Sequence, residues 1–305
     1  MSIIGLECVV YGVEDLDLGR RFFTEWGLTP DDGAKPSLFC ALDGTGVLLC
    51  PKDDDTLPPA IEPGSTAREI IWGVESQSDL EDYARRLAAK VPVSRGDEGT
   101  VHFTDPSGMA AVLMATQRRP LPAVDIATNT PERRARLDRP GTVYRRAAPR
   151  RLGHVVMLVP DIAAVEEFYR ETLGFWLSDR YPGRGVFLRG CADADHHQLF
   201  LLKSPDAGTH FHHLAFEVHD VHEVFGGGLA FAERGWETHI GPGRHVISSC
   251  YFWYFKNPCG GAVEYFADVD WLTAAWQPRE MPQEPQWFAE WALASGIRQF
   301  GGVQR

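Results

Sequence analysis

The chain repeats itself, and a pattern that occurs twice must fold in a way that accommodates two copies. Residues 13–28, VEDLDLGRRFFTEWGL, resemble 159–175, VPDIAAVEEFYRETLGF. Each has an acidic start suited to a helix N-terminus, apolar residues at helical spacing, and a closing glycine, Gly27 or Gly174, suited to a C-cap. The apolar face reads as Leu18, Phe22 and Trp26 in the first copy and Ile162, Val165, Phe168 and Tyr169 in the second. A strand-like run precedes each, GLECVVYGV and LGHVVMLV. Residues 68–87 likewise pair with 212–231, and FTDPSGMAAVLM (103–114) pairs with FKNPCGGAVEYF (255–266) through a shared Pro-x-Gly turn and apolar strand.

The repetition predicts an α+β fold of two domains, each made of two βαβββ-type modules. Residues 1–117 form the first domain and 151–270 the second. Residues 118–150, rich in Arg and Pro and without apolar periodicity, read as the connection. Its Arg133, Arg134 and Arg136 read as a solvated face. The tail, 271–305, carries Trp271, Trp276, Trp287 and Trp291. It is expected to pack on the second domain or a neighbouring subunit rather than to cover a pocket.

Charge narrows the partners. With 30 basic and 42 acidic residues the net charge is −12, which disfavours nucleic acid and anionic membrane over most of the surface. Apolar runs are strand-sized, and the first residues lack the basic start of a secretory signal, so a cytoplasmic protein is expected. Six cysteines without a CxxC pair read as reduced thiols.

The two halves differ in histidine. Ten of eleven histidines lie between His154 and His245. Period-two reading puts His154 opposite Val155 and Met157, His213 opposite Leu214 and Phe216, and Glu264 opposite Val263 and Tyr265. Three strands can thus each offer one ligand type, His154, His213 and Glu264, to one side. Two imidazoles and a carboxylate with open positions suit non-haem Fe(II), and the set also suits Mn(II). His196, His210, His212, His219, His222 and His239 read most simply as surface or rim residues.

The segment GPGRHVISSCYFWYFKNPCGGAVEYF carries His245, Tyr254 nine residues later, a Pro-x-Gly turn and Glu264. With His154 and His213 it resembles the catalytic domain of type I extradiol ring-cleaving dioxygenases, in the vicinal oxygen chelate superfamily. The resemblance covers 154–270, and the first half fits the two-domain plan. It implies a curled mixed sheet around a central cavity in each domain. It implies metal ligation by His154, His213 and Glu264, and a pocket set of His197, His245 and Tyr254. His197 rather than His196 matches, because apolar alternation begins after it. His197 and His213 stand one residue further apart than in the family pattern, consistent with a loop insertion.

The implied activity is Fe(II)-dependent insertion of both atoms of O2 into a catechol-type aromatic, cleaving the ring beside the diol, in a homo-oligomer. In that reaction His197 would stabilise developing negative charge and transfer a proton. Tyr254 would donate a hydrogen bond to a substrate oxygen, and His245 would bond the substrate or Tyr254. The first half has Glu7, Glu69 and Val112 where the second has His154, His213 and Glu264, and His102 in place of Tyr254. It therefore reads as metal-free. Two alternatives stand beside this reading. One is a glyoxalase-like lyase or isomerase of the same superfamily, which would need ligands from both halves; the other is a non-catalytic aromatic-ligand-binding protein.

Overall fold

The computed structural model describes residues 2–31, 37–121, 123 and 128–291. The four modules run in chain order. The first is β1 (Ile3–Val13), α1 (Leu16–Trp26), β2 (Thr29–Asp31), β3 (Ser37–Cys40) and β4 (Gly46–Pro51). The second is β5 (Thr66–Val74), α2 (Gln77–Ala88), β6 (Val93–Arg95), β7 (Val101–Thr104) and β8 (Ala110–Ala115). The third is β9 (Arg151–Val159), α3 (Ile162–Glu167), β10 (Trp176–Tyr181), β11 (Gly185–Arg189), β12 (Ala194–Asp195) and β13 (Leu199–Lys203). The fourth is β14 (His210–Glu217), α4 (Val221–Ala232), β15 (Thr238–Arg244), β16 (Tyr251–Lys256) and β17 (Ala262–Ala267). The short strands β18 (Trp271–Leu272) and β19 (Arg279–Glu280) and one turn of helix, α5 (Pro285–Phe288), follow. No helix among the described residues is long and apolar enough to cross a membrane.

All four module helices start alike. Asp15, Ser76, Asp161 and Asp220 each accept a hydrogen bond from the backbone N–H three residues on, satisfying one of the helix's orphan donors. Gly27 closes α1 at φ +115°, and a Cβ there would meet the Ala147 carbonyl oxygen at 2.2 Å. That close approach fixes the end of the connecting segment against the first domain. Glu223 fixes it to the second, accepting from the Ala148 N–H at 2.7 Å.

Each half forms one mixed sheet. The first has the order β2-β3-β4-β1-β5-β8-β7-β6, and the second β15-β16-β17-β14-β9-β13-β11-β10-β19. In both, the opening strands of the two modules pair antiparallel at the centre, β1 with β5 and β9 with β14. The next neighbours, β8 and β17, run parallel to β5 and β14. The register makes the repeat exact enough to compare single residues. Glu264 stands beside Ala215, two residues past His213, and Tyr254 faces Glu264. Val112 stands beside Ile71, two residues past Glu69, and His102 faces Val112.

One hydrophobic cluster runs through both halves. Trp26 of α1 is fully buried and stacks on Tyr265 of β17, ring centroids 3.5 Å apart, while Phe231 of α4 and Phe255 of β16 meet it edge-on. Tyr265 also donates to the Trp26 carbonyl at 2.5 Å. The helical face of α1 differs from the sequence expectation at one position. Leu18 is 37% exposed, and Phe23 joins Phe22 and Trp26 in the core instead. Arg133 and Arg134 are exposed and Arg136 half-buried, and residues 292–305 of the tail lie outside the described residues.

Because Trp26 packs across the two halves, Trp26→Ala should destabilise the whole chain by about 3–5 kcal/mol, as large aromatic deletions do. Denaturant unfolding followed by near-ultraviolet circular dichroism measures it. Loss of less than about 1 kcal/mol would show that the halves do not depend on this contact.

Candidate metal centre

The second sheet is lined on its far side from the helices by a cavity. Its walls include His154, Val156, Tyr181, Phe187, His197, Phe200, Leu202, His213, Ile240, His245, Ile247, Tyr254 and Phe288. Strand pairing assembles one side of it. His154 on β9, Ala215 on β14 and Glu264 on β17 lie in one row across three adjacent strands. His213 shares their face, two residues along β14. The small Ala215 between the two polar groups leaves the space in front of them open.

The three polar groups converge. His154 Nε2 lies 3.0 Å and His213 Nε2 3.4 Å from Glu264 Oε2, and the two nitrogens are 3.4 Å apart. Donors at right angles on one ion, each about 2.1 Å from it, stand about 3.0 Å from one another. The side chains thus already have the mutual spacing of a facial triad. All three are buried, and Glu264 is fully so. Neither Glu264 oxygen has a properly aimed hydrogen-bond donor. A buried carboxylate without donors is costly, and a cation is what this cradle fits. These residues could hold a metal ion.

The surroundings set the nitrogen lone pairs. His213 Nδ1 lies 2.6 Å from His212 Nδ1. With its proton on Nδ1, donated to His212, His213 presents a bare Nε2 to an ion. Burial pushes the His213 imidazole down to about 4 against the opposing pull of Glu264. Burial alone would raise the Glu264 carboxyl, but His154 and His213 hold it far below its ordinary range. His213 is therefore neutral and Glu264 ionised at neutral pH, the forms that ligate a cation.

His197, His245 and Tyr254 sit on the same cavity, all buried. The His197 ring centroid lies 4.3 Å from that of His154. His245 Nδ1 donates to the Phe288 carbonyl at 3.0 Å, so its Nε2 is free to accept, and the Tyr254 hydroxyl donates to it at 2.9 Å. The sequence expectation had the Tyr254 hydroxyl donating to substrate. In this structure its proton is engaged by His245. Burial pushes His197 well below and His245 below the ordinary imidazole range.

Two features escaped the sequence. His196, read as a rim residue, has no exposed surface and bonds Asp179 at 2.9 Å. The tail, expected to pack on the second domain or a neighbouring subunit rather than to cover a pocket, contributes Phe288 to the cavity wall. Arg244 pairs with Glu290 at 3.1 Å beside it. Trp271, Trp287 and Trp291 stay exposed, at 61%, 38% and 57%. No local pattern marks either feature, because each depends on a contact between separate elements, His196 with Asp179 17 residues before it and Tyr181 donating to the Trp287 carbonyl 106 residues on.

The equivalent positions of the first half are closed. Glu7 is taken up by Thr116 and Arg118, both at 2.9 Å, and Glu69 lies 3.4 Å from His102. Ile71 and Val112 occupy the places of Ala215 and Glu264.

Residues 151–265 match the family described as the Glyoxalase/Bleomycin resistance protein/Dioxygenase superfamily. The matching segment is the half of the chain that carries His154, His213 and Glu264. Metapyrocatechase 2 of Cupriavidus necator is 37% identical over 201 residues, 62% of this chain and 59% of that protein, so the match spans less than two thirds of the relative's length. The manganese-dependent 2,3-dihydroxybiphenyl 1,2-dioxygenase of Geobacillus genomosp. 3 is 24% identical over 75% of this chain and 78% of its own. The Mn(II)-bound glyoxalase from Novosphingobium aromaticivorans superposes with a TM-score of 0.78 at 21% identity, covering 100% of this chain and 95% of that one. The 2,3-dioxygenase LapB from Pseudomonas sp. KL28 gives 0.72 at 20% identity, over 92% and 98%. At these identities the superpositions establish the shared vicinal oxygen chelate fold.

Two outcomes follow. Because His213 carries a depressed pKa, of about 4, in the folded state, the unfolded chain binds a proton first on acidification. Metal-free protein should lose stability as pH falls from about 6.5 towards 4, and thermal melts across that window measure it; a flat Tm would contradict the burial of these imidazoles. A divalent ion at one hundred times its Kd should stabilise the wild type by about 2.7 kcal/mol and leave Glu264→Ala unmoved. Equal stabilisation of both proteins would place the ion elsewhere.

Proposed function

We propose that the chain is an Fe(II)-dependent extradiol dioxygenase of catechol-type aromatics, with Mn(II) as an ion the same ligands accept. The observation that carries the reading is the convergence of His154 Nε2, His213 Nε2 and Glu264 Oε2 at 3.0–3.4 Å around a carboxylate with no hydrogen-bond donor. The relatives named metapyrocatechase and dihydroxybiphenyl dioxygenase support the same chemistry. A ferrous ion held by these three would lower the phenolic pKa of a vicinal diol and carry electron density from the ring to dioxygen.

The protein's own residues do the rest. Val156, Phe187, Phe200, Leu202, Ile240 and Ile247 form apolar walls that take an aromatic ring and exclude water. His197, neutral and buried, accepts a proton at its ring nitrogen as the diol ionises and returns it to oxygen as the ring opens. Tyr254, held by His245, offers its phenolic oxygen at the cavity wall to orient a substrate hydroxyl. Net reaction inserts both oxygen atoms and breaks one ring C–C bond beside the diol. The reading carries with it a cytoplasmic homo-oligomer without nucleic-acid or membrane partners. The glyoxalase-like alternative needs ligands from the first half, where Arg118 and His102 already engage the two carboxylates.

The test is anaerobic Fe(II) loading, then oxygen uptake and absorbance with a panel of catechols. We expect a yellow ring-opened product, one O2 consumed per diol, and no turnover without metal. His197→Gln should lower kcat about 10²–10⁴-fold, the range for a lost acid–base group. Tight catechol binding without turnover would support a binding protein, and colour without metal would sink the mechanism.

A further inference from the structure

His197 has a partner chain behind it that leads away from the metal ligands to the C-terminal segment. Its Nδ1 lies 3.1 Å from His196 Nδ1. His196 Nε2 lies 2.9 Å from Asp179 Oδ2. Asp179 in turn receives Arg279 through Nε at 3.0 Å, Nη2 at 2.6 Å and the backbone N–H at 2.6 Å. His196 and Asp179 have no exposed surface. Phe187 packs edge-on to both imidazoles, at centroid distances of 5.1 and 5.0 Å.

Donor and acceptor rules decide the protons along this chain. A carboxylate only accepts, so His196 Nε2 must carry a hydrogen. Burial keeps His196 below the ordinary imidazole range and hence neutral. Its Nδ1 is then a bare lone pair, and His197 Nδ1 must donate to it. The one lone pair left on His197 is on Nε2. In the triad of serine proteases a buried aspartate fixes the tautomer of a catalytic imidazole in one step; here an imidazole stands between the two.

We propose that Asp179 and His196 are positioning residues that fix His197 as the Nδ1–H tautomer, so that it meets substrate as a proton acceptor at Nε2. The proposal rests on the reading of His197 as the proton-moving group, and it assigns a task to two side chains that do not touch the cavity contents. Arg279 belongs to the same segment that brings Phe288 to the cavity. Through Asp179 it ties the docking of that segment to the orientation of His197.

The test has two independent readouts. The first is the tautomer, from long-range ¹H–¹⁵N spectra of ¹⁵N-histidine protein without metal, with His197 assigned by comparison with His197→Gln. Wild type should show His197 protonated on Nδ1. His196→Leu removes the acceptor and should move the proton to Nε2. His196→Asn offers Oδ1 where Nδ1 stood and should restore Nδ1–H. The second readout is kinetic. His196→Leu should lower kcat about 10–100-fold, the usual cost of losing such an outer partner, with KM and metal content little changed, and His196→Asn should recover most of the loss. A wild-type His197 protonated on Nε2 overturns the proposal by itself, whether or not any variant folds. So does a leucine variant that keeps both Nδ1–H and kcat. Should wild type open no ring, the activity reading fails, and the tautomer spectra still decide whether His196 directs His197.

Discussion

A carboxylate buried without donors is the constraint around which the second domain is arranged. Glu264 sits at the centre of a sheet, on β17, with two imidazoles against one of its oxygens and nothing aimed at either. It has no exposed surface, and among the described residues its ion-pair partners are His154, His213 and His245. Left so, its charge would cost several kcal/mol. The neighbouring features make sense as consequences. The small Ala215 stands between His154 and Glu264 in the row across the three strands. His213 hands its other nitrogen to His212. The apolar walls beyond keep the local dielectric low, which strengthens whatever a cation does there.

The repeat shows what happens when that constraint is removed. The first domain keeps the strand order, the register and the capped helices, so the scaffold does not depend on the site. It replaces Ala215 and Glu264 with Ile71 and Val112 and quenches Glu7 with Arg118. There half-buried Glu69, Ile71 and His102 and the buried Val112 take the places of the ligand set. What the first domain retains is its packing surface: α1 delivers Phe22 and Trp26 to Phe231, Phe255 and Tyr265, directly behind the strands that carry the ligands. It backs the sheet that carries His154, His213 and Glu264.

Much of this was legible in the sequence, and the limits are physical. Two-residue periodicity reports which face a side chain takes, so Val155, Leu214 and Val263 could be set against His154, His213 and Glu264 without a structure. The repeat supplied the modules, and glycines and caps supplied their ends. Periodicity does not report a partner. It could not tell that His196 meets Asp179, that Arg279 completes the pair, or that Phe288 returns to the cavity, because each contact joins separate elements whose mutual placement the folded sheet decides. Leu18 erred for a smaller reason: helical spacing leaves a stripe about one residue wide undecided, and Phe23 fills it.

The central claim is that His154, His213 and Glu264 share one ion. An anaerobically Fe(II)-loaded crystal measured at the iron edge tests it most directly. The account predicts a single anomalous peak about 2.1 Å from both Nε2 atoms and a Glu264 oxygen. A peak elsewhere, or an empty triad in crystals that hold iron, would contradict it.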